Sequence, residues 1–84
     1  MPENETDTSN ADAHTNRGLV CRKVGLYDKA IEEFTKAIRK DPSYVEAYYE
    51  RGKAYHGKRE YDKAIKDYTE VIQLDPNNAL AYFS

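Results

Sequence analysis

The sequence predicts an all-α fold of tandem helix-turn-helix units, an α-solenoid, and three observations carry that prediction. First, offsetting the chain by 34 residues aligns 12 identical positions, from Ala13/Ala47 to Pro42/Pro76, where composition alone gives roughly two. Second, apolar and small residues recur at intervals of three and four, the period of one helix face. Third, no stretch alternates with period two long enough to suggest a strand. Residues 11–44 and 45–78 form two full repeats, and residues 79–84 open a third in which Ala79-Leu80-Ala81-Tyr82 matches Val45-Glu46-Ala47-Tyr48.

Residues 1–10 contain Glu3, Glu5 and Asp7 and no base, aromatic or branched aliphatic residue. That composition predicts a disordered acidic tail. The next segment is the first helix of repeat one, and Gly25 marks the bend after it. The matching bend in repeat two is Lys58-Arg59-Glu60. Its first helix presents Ala47, Tyr48, Arg51, Ala54 and Tyr55 on one face. Its second helix is expected to start at about Asp62 as a cap, with Ala64, Ile65, Tyr68, Val71 and Ile72 as the buried stripe. Asp41-Pro42 and Asp75-Pro76 end the second helices, because proline excludes helical geometry from the residue before it.

Composition removes several functional classes. The chain has 84 residues, 39% hydrophobic and 33% charged, with mean hydropathy -0.95, so no run approaches the roughly 20 apolar residues of a membrane span. Net charge is -2 and pI about 5.6. Beyond the tail, 13 bases face 12 acids, and neither nucleic acid nor membrane is implied as a partner. The single cysteine, Cys21, and the lack of a secretory leader pattern predict a cytoplasmic location. Eight tyrosines could suggest base stacking, but Tyr27, Tyr48, Tyr55, Tyr61 and Tyr68 are needed for the core and no basic groove accompanies them. His14, Cys21 and His56 are too few and wrongly spaced for zinc, so no metal or cofactor is expected. Acids such as Glu32, Glu33 and Asp41 lie on surface or turn positions with no apolar pocket to raise a pKa, and no catalysis is expected.

The 34-residue spacing and its small, aromatic and proline positions resemble the tetratricopeptide repeat. Gly18 and Gly52 match that family's small residue in the first helix, and Ala30 and Ala64 match the one in the second. The resemblance implies that glycine meets alanine where the paired helices cross. Ala13, Ala47 and Ala81 match the small residue that packs on a preceding unit, opposite Ala37 and Val71. Tyr27, Tyr61, Phe34, Tyr68, Tyr55, Pro42 and Pro76 fill further signature positions. Three positions depart from the pattern: His14 replaces a large aromatic, Cys21 stands where Tyr55 stands, and Arg17 and Arg51 occupy a place more often given to leucine. The first unit is therefore expected to be less well filled than the second.

The resemblance also implies a function, an interaction module whose first helices line a concave groove for a partner peptide or helix. Carried over by position, the groove residues are Asp12, Thr15, Asn16, Leu19, Arg22 and Lys23 in repeat one, with Glu46, Tyr49, Glu50, Lys53 and His56 in repeat two. The second set also shares one helix face that the core stripe does not use. Tyr49 would supply apolar area, while Lys53, Arg22 and Lys23 would meet a carboxylate. One subset of the family grips the terminal carboxylate of chaperones with lysine, asparagine and arginine. At those positions this chain has Thr15, Leu19, Glu50, Leu80 and Ser84, which argues against such a clamp. The alternative function is self-association, as a homo-oligomer, through a face of the last helix bearing Ile65, Tyr68, Ile72, Tyr82 and Phe83.

Overall fold

The computed structural model describes residues 3–77, with side chains from residue 10 onward. Four helices follow in order: α1 (Glu3–Lys23), α2 (Tyr27–Lys40), α3 (Val45–Gly57) and α4 (Tyr61–Leu74), with no strand among the described residues. Helix α1 packs on α2 and α3 on α4, while α2 packs on α3 and α1 touches α3. The result is two helical hairpins stacked side by side.

Helix α1 begins at Glu3 and runs unbroken for 21 residues, through the segment whose composition predicts a disordered tail. A helix already nucleated and packed from Ala11 onward extends through Glu3–Asn10 at the small cost of propagation, one bond per residue fixed.

The two hairpin turns are built alike. In the first, Gly25 sits at φ 86°, its N–H donates to Arg22 O at 3.0 Å, and Leu26 N–H donates to Cys21 O at 2.8 Å. In the second, Arg59 sits at φ 66°, with Arg59 N–H on His56 O and Glu60 N–H on Tyr55 O, both at 2.9 Å. This pair of bonds satisfies the last carbonyls of a helix only when the residue between adopts left-handed geometry. Glycine does so freely; Arg59 does so against the steric preference of its Cβ. Both second helices end as expected, with Asp41 N–H on Ala37 O and Asp75 N–H on Val71 O. The Asp41 carboxylate then accepts bonds from Ser43 N–H and Oγ at 3.2 and 3.0 Å.

One start is corrected. Helix α4 begins at Tyr61, Glu60 is its N-cap with no side-chain bond, and Asp62 lies in the first turn. There its charge favours the helix through the macrodipole rather than through a cap.

The core is a set of small residues around two rings. Ala11, Ala37 and Ala47 are fully buried together, with Ile38 and Tyr44 against them. Ala30, Phe34 and Ala54 form a second cluster, joined by Leu19, half-buried Cys21, Tyr27 and Ile31. Each glycine of the first helices also receives a ring. A Cβ on Gly18 would lie 2.5–2.8 Å from three ring atoms of Phe34, and one on Gly52 would lie 2.7–3.2 Å from the ring of Tyr68. The closest approach to each glycine is therefore an aromatic ring seated on bare backbone. A flat ring buries far more area than a methyl group, so this arrangement makes better use of the missing side chain. Gly57 repeats the device between hairpins, under the ring of Tyr27.

Two positions of the expected core also move. Tyr61 is 50% and Ile65 60% exposed, whereas Tyr68 is buried as the stripe requires, at 7%, and so is not available to the self-association face. Asp67 takes a buried place instead, at 4%. Tyr82 and Phe83 lie outside the described residues.

Candidate peptide-binding face

The face in question is carried by α1 and α3. Ala11 meets Ala47 in the core, the Tyr44 hydroxyl donates to the Asp12 carboxylate, and further along Arg22 Nη2 stands 3.3 Å from Glu50 Oε1. Contacts thus advance in the same direction along both helices. Burial and the charge of Asp12 both push the Tyr44 hydroxyl well above its usual pKa, which keeps it a donor.

The residues expected on this face separate into three groups. Asn16, Lys23, Glu46 and His56 are exposed, and Leu19, Arg22, Tyr49, Glu50 and Lys53 are half-buried. Thr15 does not belong there, since it is 2% exposed and among the largest fully enclosed side chains. It lies one turn before Leu19, on the stripe turned toward the core.

The structure brings two pairs together. Lys53 Nζ sits 5.3 Å from the centre of the Tyr49 ring, and that ring packs 6.0 Å from Tyr68, tilted by 49°. Tyr49 is therefore held by the core beneath it and by a cation beside it. Arg22 and Glu50 form the second pair, with side chains 22% and 12% exposed. Their ion-pair distance carries no hydrogen bond: Arg22 Nε and Glu50 Oε1 are both buried without a partner, as is Thr15 Oγ1. Two candidates are drawn elsewhere, because Leu19 is committed to the Phe34 cluster and His56 stacks edge-on against Tyr61 at 5.2 Å.

A polar network beyond this face is absent from the sequence expectations. Arg51 donates from Nε and Nη2 to both carboxylate oxygens of Asp67, each at 2.8 Å, and from Nη1 to Thr35 Oγ1 of the preceding hairpin at 3.1 Å. Tyr48 and Tyr55 place their rings 5.8 and 5.9 Å from its guanidinium. The corresponding site in the first hairpin is looser: Glu33 bonds His14 Nδ1 at 2.8 Å and stands 3.9 Å from Arg17. Burial works to raise the Glu33 pKa, but the His14 bond together with the charges of Lys36, His14 and Arg17 leaves it lowered. The repeat itself holds the signal, since Arg17 and Arg51 recur at one position and Glu33 and Asp67, both acids, at another.

Among the described residues, no helix is long and apolar enough to cross a membrane, and no group of three or more His, Cys, Asp or Glu side chains could hold a metal ion.

Comparison with known proteins follows the same lines. Two family models match, "Tetratricopeptide repeat" over residues 45–78 and "TPR repeat" over residues 18–59. No curated protein sequence matches. Among solved structures, the second TPR of Spaghetti (RPAP3), bound to HSP90 peptide SRMEEVD, is 31% identical with TM-score 0.89, covering 95% of this chain and 74% of that one. The crystal structure of MamA is 32% identical with TM-score 0.86, covering 89% of this chain, which spans only 44% of MamA. The second TPR domain of human RPAP3, solved by NMR in complex with HSP70 peptide SGPTIEEVD, is 32% identical with TM-score 0.85, covering 88% and 62% of the two chains. With the stacked hairpins and the ring-on-glycine packing, these matches make the chain a member of the tetratricopeptide repeat family.

Proposed function

We propose that this chain is a protein-interaction module that holds an extended peptide or helix of a partner protein on the α1/α3 face. The observation that carries the reading is the Tyr49–Lys53 pair, an aromatic ring braced from below by Tyr68 and flanked by a cation at 5.3 Å. Such a ring loses little side-chain freedom on binding and offers both apolar area and a polar edge. Two structures of the second TPR domain of RPAP3, one bound to an HSP90 peptide and one to an HSP70 peptide, support a peptide as the partner. The contacting chemistry differs from a carboxylate clamp, because Thr15 is enclosed, Leu19 is committed to the core and Glu50 would repel a terminal carboxylate. No catalytic role is proposed.

A random-peptide display library selected on the full chain provides the test. Enriched peptides should shift the NMR amide signals of Asn16, Lys23, Glu46, Tyr49 and Lys53, and Tyr49→Ala with Lys53→Ala should weaken them at least tenfold, a loss of about 1.4 kcal/mol. Peptides that map to α2 and α4 instead would refute the reading.

Self-association is a second reading, supported by exposed apolar side chains: Val20 (62%), Val24 (66%), Leu26 (53%) and Ile65 (60%). Sedimentation as a monomer at micromolar concentration would remove it.

A further inference from the structure

Resting on the α1/α3 reading above, we infer that Arg22 and Glu50 act as a polar clasp that selects the side-chain carboxamide of an Asn or Gln over a carboxylate or an amine. The two side chains face each other across the helices at 3.3 Å, one from the last turn of α1 and the other from the middle of α3. Between them they leave one donor and one acceptor unused, Arg22 Nε–H and Glu50 Oε1. A carboxylate could accept from Arg22 but would oppose Glu50, and an amine could donate to Glu50 but would oppose Arg22. A group with a donor and an acceptor side by side satisfies both, and the planar carboxamide of Asn or Gln carries them on adjacent atoms. Both atoms are covered in the free chain, so engagement requires Arg22 to swing outward, which its 22% exposure permits.

Four capped heptapeptides, Ac-Ser-Leu-Ala-X-Ala-Leu-Ser-NH2 with X as Gln, Leu, Glu or Lys, test the clasp by NMR titration of the full chain. The clasp predicts a shift of the Arg22 Nε–H signal with the Gln peptide, and binding of the Glu and Lys peptides at least tenfold weaker. The Gln peptide should also bind more tightly than the Leu peptide, since only it carries the side-chain amide, and equal affinity of the two overturns the clasp. Arg22→Lys keeps the charge but removes the Nε donor, so it should weaken the Gln peptide about tenfold, the worth of one charge-assisted hydrogen bond. Glu50→Gln should remove the discrimination against the Glu peptide. Unchanged thermal unfolding of both variants separates these effects from misfolding. Equal affinity for the Glu and Gln peptides on the wild-type chain overturns the clasp. So does a silent Arg22 signal while α1 and α3 amides respond, a result that leaves the α1/α3 reading intact. Absence of any response on α1 and α3 overturns both.

Discussion

Replacing Arg51 with methionine tests how the second hairpin is held together. In the native chain the guanidinium meets Asp67 in a two-pronged bond, 2.8 Å on each side, and reaches Thr35 at 3.1 Å. Asp67 is only 4% exposed, so it cannot turn to water when its partner is lost. Removing one member of a buried ion pair costs about 3–5 kcal/mol, because the remaining charge stays desolvated. A chain of this size has a total stability of roughly 4–13 kcal/mol. Arg51→Met alone should therefore remove a large share of that stability, and Asp67→Leu alone should do the same. The double variant should return close to the native value, since two apolar side chains of similar bulk replace the pair without leaving a charge. Thr35 tolerates the change because its hydroxyl also donates to Ile31 O at 2.7 Å. Urea unfolding followed by far-ultraviolet circular dichroism measures all four proteins. Single variants that each lose less than about 1 kcal/mol, with a double variant equal to their sum, would mean that the pair behaves as a screened surface contact, and the reasoning would fail.

Other outcomes follow from the same packing. Gly18→Ala gains about 1 kcal/mol of helix propensity but drives a methyl to within 2.8 Å of three atoms of the enclosed Phe34 ring, an overpacking cost of about 1–3 kcal/mol. A net loss of up to about 2 kcal/mol should lower Tm, and a rise would refute the packing account. Arg59→Gly should stabilise by about 1 kcal/mol, because position 59 sits at φ 66°. Gly25→Ala, at φ 86° in open space, should cost a similar amount for conformational reasons alone. Glu33 has a lowered pKa in the folded chain; its contribution to stability is present above the ordinary value of 4.5 and fades as pH falls through the lower folded value. His14→Ala should shrink that acid-side loss in pH-dependent unfolding, and an unchanged acid limb would contradict it.

Local features were legible in the sequence. The Asp-Pro pairs, the small residues every 34 positions and the three-four period set out the helices and breaks, since backbone sterics and helical geometry act over a few residues. Ala30, Ala37, Ala47, Ala54 and Ala64 are buried as that pattern requires. The face was legible only in part, because Thr15 was assigned to it by position in the repeat, and position in a repeat does not say how deeply a side chain is covered by its neighbours. What lies opposite a residue depends on the angle and depth at which helices pack, and those are set by long-range contacts. So tertiary structure alone decided that Gly18 and Gly52 receive rings, that Tyr61 turns to solvent while Asp67 turns inward, and that Arg51 ties two hairpins together. The pairing of Arg22 with Glu50 has the same origin: 28 residues separate them along the chain, and only stacking one hairpin on the next brings their charges to 3.3 Å.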